Sequence, residues 1–228
     1  MMTIVNYLST RIRTAFEEHP CRFFTEHDIH SELASIAAEY LTSEEGLQDE
    51  TLDGYVVNRI HHEYPTPFRC KMEGTEFRGV SEEEYESEKQ RNPDFRAKRG
   101  YFDLVVFNPK YISSTRLRVI SAKDYRYFLP SLAERKCAAL DMAVEVVYFP
   151  TFDNKPHFGK MDRRFRSTIQ DYEKLAELMK ISAPTPFCRE AAMMFFSNTR
   201  YTHELNEKFR SFPFNRSVKL FRYVRQCI

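Results

Sequence analysis

The chain is 228 residues long, with 34 Lys+Arg against 33 Asp+Glu, 42% hydrophobic and 14% aromatic residues. That length and apolar content suit one domain with a sizeable core and argue against disorder throughout, while a formal charge of +1 gives no global positive field of the kind that announces a nucleic-acid binder. The 6 glycines form no G-x-G-x-x-G, and Gly74 and Gly79, though spaced like a phosphate loop, meet Val80 where that motif needs lysine, so a dinucleotide turn and a nucleotide-dependent kinase or ATPase have no candidate loop.

From the N-terminus, Met1 to Arg13 is amphipathic without a signal-peptide core, and a helix is predicted over 3–18, ending before Pro20. Thr25 opens a second helix as N-cap, with Asp28 at the capping-box position and Ile29, Leu33, Ile36, Ala37 and Leu41 recurring on one face. Thr42 to Leu52 reads as an acidic loop. Residues 55–64 read as a strand closed by Pro65 and Pro67. From Ser81 to Gly100 the chain mixes Glu82, Glu83, Glu84, Glu86 and Glu88 with Arg91, Arg96, Lys98 and Arg99, which reads as a solvated helix or excursion.

Tyr101 to Asn108 is a short apolar strand, followed by a connection and a helix predicted over 127–140. Met142 to Phe149 is the most strand-like run and ends at Pro150. Residues 162–180 form an amphipathic helix with Phe165, Ile169, Tyr172, Leu175 and Met179 on one face. Ala191 to Phe196 reads as a buried strand, 201–210 as a short helix and 217–224 as a strand. With 127–140 set aside as an insertion, the order is helix, strand, strand, strand, helix, strand, so an α/β fold with a central mixed sheet flanked by helices is expected. No apolar run approaches the ~18–20 residues of a membrane span. The five cysteines Cys21, Cys70, Cys137, Cys188 and Cys227 include no C-x-x-C. Free thiols in a soluble, cytoplasmic protein with no membrane partner are expected.

Three strands each carry one carboxylate in an apolar or aromatic run: Glu63, Asp103 and Glu145. Ionised carboxylates are costly in such places unless paired or bound to a cation. Three brought together would call for a divalent metal, and Mg²⁺ takes hard oxygen ligands from a few carboxylates, water and phosphate. Such a site polarises a phosphodiester and generates a hydroxide nucleophile.

The segments His-His-Glu-Tyr-Pro-Thr with Glu63, Arg-Gly-Tyr-Phe-Asp-Leu-Val-Val with Asp103, and Val-Glu-Val-Val-Tyr with Glu145 together resemble the PD-(D/E)XK nuclease superfamily, the restriction-endonuclease-like proteins. The resemblance covers about residues 25–197, and the run from Asp171 to Leu175 resembles the helix that follows the third strand in that family. It implies a restriction-endonuclease-like core with Asp103 as metal-binding aspartate, Glu145 as the glutamate of E-x-K, and Glu63 as an extra metal-binding acid. Mg²⁺ is the implied cofactor, with Mn²⁺ as a substitute. The implied partner is nucleic acid, DNA in the first place, and a homodimer is compatible with it. The chain departs from the pattern at Val147, which stands at the lysine position of E-x-K and shares the strand face of Glu145. A lysine from another element can reach the same volume; Lys160 is the first candidate for the fourth catalytic residue, with Lys136 and Arg163 behind it.

The last 29 residues carry Arg200, Lys208, Arg210, Arg216, Lys219, Arg222 and Arg225 against Glu204 and Glu207, a local net of +5, interleaved with Phe209, Phe212, Phe214, Phe221 and Tyr223. Basic residues beside aromatics suit a phosphate backbone and unstacked bases. Arg163, Arg164, Arg216, Lys219 and Arg222 are the expected nucleic-acid contacts. His27 and His30, three apart on a helix, have no evident third partner for zinc, whereas His61 shares the strand face of Glu63 and is a candidate to orient that carboxylate or to act as a base.

The expected organisation is an N-terminal helix (1–24), a nuclease-like core (25–197) and a basic C-terminal helix-strand extension of the same domain (198–228). The expected activity is metal-dependent phosphodiester hydrolysis. The alternatives are a catalytically inactive nuclease-fold module that binds nucleic acid or a protein partner, and a structural protein whose acidic 81–90 segment contacts another chain.

Overall fold

The structure, a computed structural model, describes residues 2–19, 22–44, 46–73, 76–116, 136–149, 158–197 and 202–224. Helix α1 (Ile4–Glu18) buries Ile4, Val5, Leu8, Ile12 and Phe16, a stripe at helical spacing. Helix α2 (Glu26–Glu44) starts at the expected capping box. The Asp28 carboxylate accepts from Thr25 N at 2.7 Å and from Phe24 N at 2.8 Å, and Thr25 Oγ1 accepts from Asp28 N at 3.3 Å. Helix α2 runs past Thr42, and strand β1 (Gln48–Glu50) forms where an acidic loop was expected; it pairs antiparallel with β2 (Val56–Asn58), which lies within the expected strand over 55–64.

Strand β3 (Ile60–Glu73) does not stop at Pro65. It continues through Pro67, and its register against β5 (Lys98–Phe107) shifts between Pro65 and Arg69. Proline has no N–H for the ladder, and an irregularity in register is where that loss costs least. Strand β4 (Glu76–Val80) forms a hairpin with β3. Helix α3 (Glu82–Arg91), capped by Ser81, buries none of its residues, as its charge pattern implies. Beyond β5 lies the short α4 (Pro109–Ser113).

The predicted helix over 127–140 falls mostly outside the described residues. At its end the backbone is already committed to the sheet. Ala139 N and Leu140 N both donate to Phe187 O, and β6 spans Leu140–Phe149. Helix α5 (Phe158–Lys180), β7 (Cys188–Ser197), α6 (Thr202–Arg210) and β8 (Val218–Val224) complete the chain.

One six-stranded mixed sheet runs in the order β4-β3-β5-β6-β7-β8. Its first part is antiparallel, while β6, β7 and β8 are parallel. Alternation divides β6 cleanly. Met142, Val144, Val146 and Tyr148 pack with α1 and α2, whereas Ala143, Val147 and Phe149 pack with Phe165, Tyr172 and Leu175 of α5 and Leu205 and Phe209 of α6. Glu145, at an odd position of β6, therefore stands on the α5 face. No helix among the described residues is long and apolar enough to cross a membrane.

Candidate active site

Strands β5 and β6 pair from Phe107↔Leu140 to Leu104↔Val144 and no further. The next N–H groups on that edge of β6 lack a strand partner and would cost free energy if left bare. Carboxylates take them instead. Asp103 Oδ2 accepts from Val146 N at 2.6 Å, and Glu26 Oε2, from the first turn of α2, accepts from Tyr148 N at 3.1 Å. Two acids thus line the opening between the strands.

Glu145 is buried beside this opening, and its Oε1 lies 2.7 Å from Lys174 Nζ on α5. The Lys174 ammonium donates to Tyr101 O at 2.6 Å and to Asp171 Oδ1 at 3.1 Å. Its side chain is 9% exposed, so the contacts are desolvated. Close approach of β5 to this helix depends on Gly100. A Cβ there would lie 2.6 Å from Cys70 Sγ, 3.1 Å from Thr66 Cγ2 and 3.2 Å from Lys174 Cδ.

Burial pushes the Asp103 carboxyl above its ordinary range, against the Val146 N–H and the His30 and Lys174 charges that favour ionisation, while Glu26 adds to the rise. Burial likewise pushes Glu145 up, opposed by Lys174 and reinforced by Asp103 and Asp171. Burial alone would lower Lys174, but Glu145 and Asp171 outweigh it and hold the ammonium charged well above neutral pH. A buried nitrogen, His30 Nε2, has no hydrogen-bond partner among the described residues and sits 3.7 Å from Asp103 Oδ2.

The other sequence candidates fall elsewhere. Glu63 is exposed and adopts φ 48°, a left-handed conformation that strict strand alternation does not anticipate. Among the described residues no three His, Cys, Asp or Glu side chains form a ready metal cage, so Glu63 does not complete a triad with Asp103 and Glu145. The side chain of Lys160 lies outside the described residues, and Lys136 and Arg163 are exposed. His61 Nε2 is 2.7 Å from Asn58 O with its ring edge-on to Phe107, and burial lowers its pKa, so it serves local packing.

The basic candidates are largely engaged within the fold. Arg164 pairs with Glu26 at 2.5 Å, and Lys219 with Glu190 at 2.6 Å. Arg222 donates to Asn206 at 2.5 Å and covers the Phe209 ring at 4.1 Å. Lys219 and Arg222 belong to β8, the sheet edge opposite β4. Arg216 is exposed.

Sequence reasoning missed Lys174 and Glu26. Lys174 has a signal in hindsight: it precedes Leu178 by one helical turn, and Leu178 is fully buried. Glu26 directly follows the N-cap Thr25, where an acid reads as a complement to the helix dipole and nothing more. Comparison of the chain with protein-family models, with curated proteins and with solved structures gives no match.

Proposed function

We propose that the chain is a metal-dependent phosphodiesterase acting on nucleic acid, DNA in the first place, with a site of the PD-(D/E)XK kind on a restriction-endonuclease-like core. The observation that carries this reading is Lys174. An ammonium from α5 stands 2.7 Å from Glu145, in the region where Val147 leaves the E-x-K pattern without a cation. The element order α2, β3, β5, β6, α5, β7 supports the same reading, with the β4–α3 hairpin region inserted between its first two strands.

Asp103 and Glu145 are the residues that would hold Mg²⁺ or Mn²⁺. Their donor set fits, since Mg²⁺ binds through one or two carboxylates and completes its shell with water and substrate phosphate. Glu145 and Asp171 both contact Lys174, which leaves an excess of acid there when both are ionised. When bound, the ion supplies a polarised phosphate and a water of lowered pKa.

The chain's own residues do the rest. Val146 N–H fixes one oxygen of Asp103 and so its rotamer. Lys174, held charged by Glu145 and Asp171, offers a fixed positive charge to the oxyanions that develop on phosphorus, and a desolvated cation stabilises them more than a solvated one. Tyr101 O and Asp171 orient that ammonium without neutralising it completely. Arg164, bound to Glu26, holds α5 against the start of α2.

Incubation of the full chain with single- and double-stranded DNA and RNA, with Mg²⁺, Mn²⁺ or EDTA, tests the reading. Cleavage that needs metal and is lost in Asp103→Ala supports it. Absence of cleavage on every substrate, or cleavage by Asp103→Ala at the wild-type rate, sinks it. A second reading, an inactive nuclease-fold module, draws on the same contact: the Lys174–Glu145 pair already satisfies both charges and can persist as a structural ion pair. That reading expects nucleic-acid binding that is indifferent to Asp103.

A further inference from the structure

The half of the sheet nearest β4 carries a cleft of about 510 Å³ between the β3–β4 hairpin, the start of β5 and α5. Its inner end is formed by Asp171 and Lys174, the ammonium that reaches Glu145. Lys71, Arg96 and Lys98 also line it, as do the apolar Met72 and Phe77. The cleft therefore opens onto the candidate site through a shared side chain.

The hairpin region is rich in basic residues, and α3 sorts them. Glu82 holds Arg69 at 2.6 Å and Arg99 at 2.7 Å, and Glu84 holds Arg78. These three arginines are spent on the α3 contact. Arg96 and Lys98 are exposed, and the nearest acid to Arg96 is the solvent-exposed Asp94 at 3.8 Å. The Lys71 ammonium lies 4.5 Å from the centroid of the Phe95 ring. Lys71 shares its strand face with Arg78, on the α3 side, so among the described residues the cations facing the cleft are Arg96, Lys98 and Lys174, and Asp171 on its wall is bound to Lys174.

Met72 is 39% exposed, an apolar side chain beside a row of cations. Cations that follow a backbone, next to apolar or aromatic faces that accept bases, are the requirements for holding an unpaired strand; in a duplex those base faces are stacked and closed. We propose that the cleft holds the single-stranded segment of a nucleic-acid substrate next to the phosphodiester presented to Asp103, Glu145 and Lys174. Phosphates lie on Arg96 and Lys98, and a base rests on Met72 and Phe77. The proposal rests on the nuclease reading of the adjoining site and adds to it the strandedness of the substrate and its path.

The test is fluorescence anisotropy of a labelled oligothymidylate of about 15 nucleotides, within the range of single-strand site sizes, titrated with the full chain in EDTA. The expected result is tighter binding of this strand than of a duplex of equal length. Arg96→Glu/Lys98→Glu weakens it at least about tenfold and lowers the slope of log affinity against log salt by about 1.4, at about 0.7 per lost phosphate contact. A control reversal of Lys110 and Arg210, both exposed and off the cleft, leaves binding unchanged.

Equal binding by wild type and the cleft variant overturns the proposal, as does absence of binding. Displacement by an oligoglutamate as effective as by unlabelled strand overturns it too, by reducing the cleft to a general anion site. Parallel cleavage assays separate the two claims. Cleavage with binding untouched by the cleft reversal removes the cleft alone. Binding that depends on Arg96 and Lys98 without cleavage in any metal removes the hydrolytic reading and leaves the cleft as a strand-binding groove.

Discussion

Lys174 Nζ on α5 and Glu145 Oε1 on β6 form a 2.7 Å ion pair in which the side chains are 9% and 4% exposed. The contact ties the crossover helix to the central strand and sets a fixed cation beside Glu145. Truncating Lys174 leaves a buried carboxylate uncompensated, which costs about 3–5 kcal/mol for pairs of this kind. Lys174→Met is expected to lose stability in that range, and Glu145→Gln/Lys174→Met to lose less than the two single changes combined, with a coupling of about 1–3 kcal/mol. Urea unfolding of the four proteins measures it. Additive losses would mean that the pair is not coupled.

The Asp103 carboxyl is raised by burial, so the folded chain binds its proton more tightly than the unfolded chain does. Its contribution favours the fold at low pH and is lost as pH climbs from the ordinary aspartate range through the raised folded value. Over that window wild type should lose stability relative to Asp103→Asn. A stability difference that is flat with pH contradicts this account of Asp103.

Gly100 is required by space and not by backbone angle. Gly100→Ala sets a methyl against Cys70 Sγ, Thr66 Cγ2 and Lys174 Cδ. Overpacking of this kind costs about 1–3 kcal/mol, and the shift falls on the Lys174 side chain. Cleavage should drop more steeply than stability, and Cys70→Ala in the same chain should recover part of both, because Sγ is the nearest atom. Recovery of neither would place the strain elsewhere.

Glu63 pays a conformational penalty at φ 48° that glycine does not, on the order of 1 kcal/mol. Glu63→Gly should raise the midpoint of thermal unfolding or leave it unchanged, and leave metal-dependent cleavage intact. Loss of cleavage in a stable Glu63→Gly chain would return Glu63 to the site.

Asp103 and Glu145 were legible because each is the lone acid of an apolar strand, and a charge in such a place needs a reason. The alternation of β6 and the helical stripes of α2 and α5 were legible for the same cause: burial of one face leaves a period. Lys174 was hidden because it lies outside the apolar stripe of α5 and its partner Glu145 is distant in sequence. The course of β3 through Pro65 and Pro67, and the left-handed turn at Glu63, depend on tolerance of a broken ladder, which pattern alone does not encode. The basic C-terminal count was correct as a count. Two of its charges, Lys219 and Arg222, are engaged by Glu190, Asn206 and the Phe209 ring, pairings that exist only once β8 and α6 are in place.

The central claim is that Lys174 supplies the cation that Val147 cannot. Val147 is buried on the α5-facing side of β6 along with Glu145, so a lysine there would send its ammonium toward the same volume. The direct measurement is the metal-dependent cleavage rate of wild type, Lys174→Met and Lys174→Met/Val147→Lys, on whichever nucleic acid wild type cuts. The account predicts a loss of at least about 100-fold in Lys174→Met, the scale of a removed oxyanion donor, and recovery of at least tenfold in the double variant. Cleavage by folded Lys174→Met at the wild-type rate would contradict it.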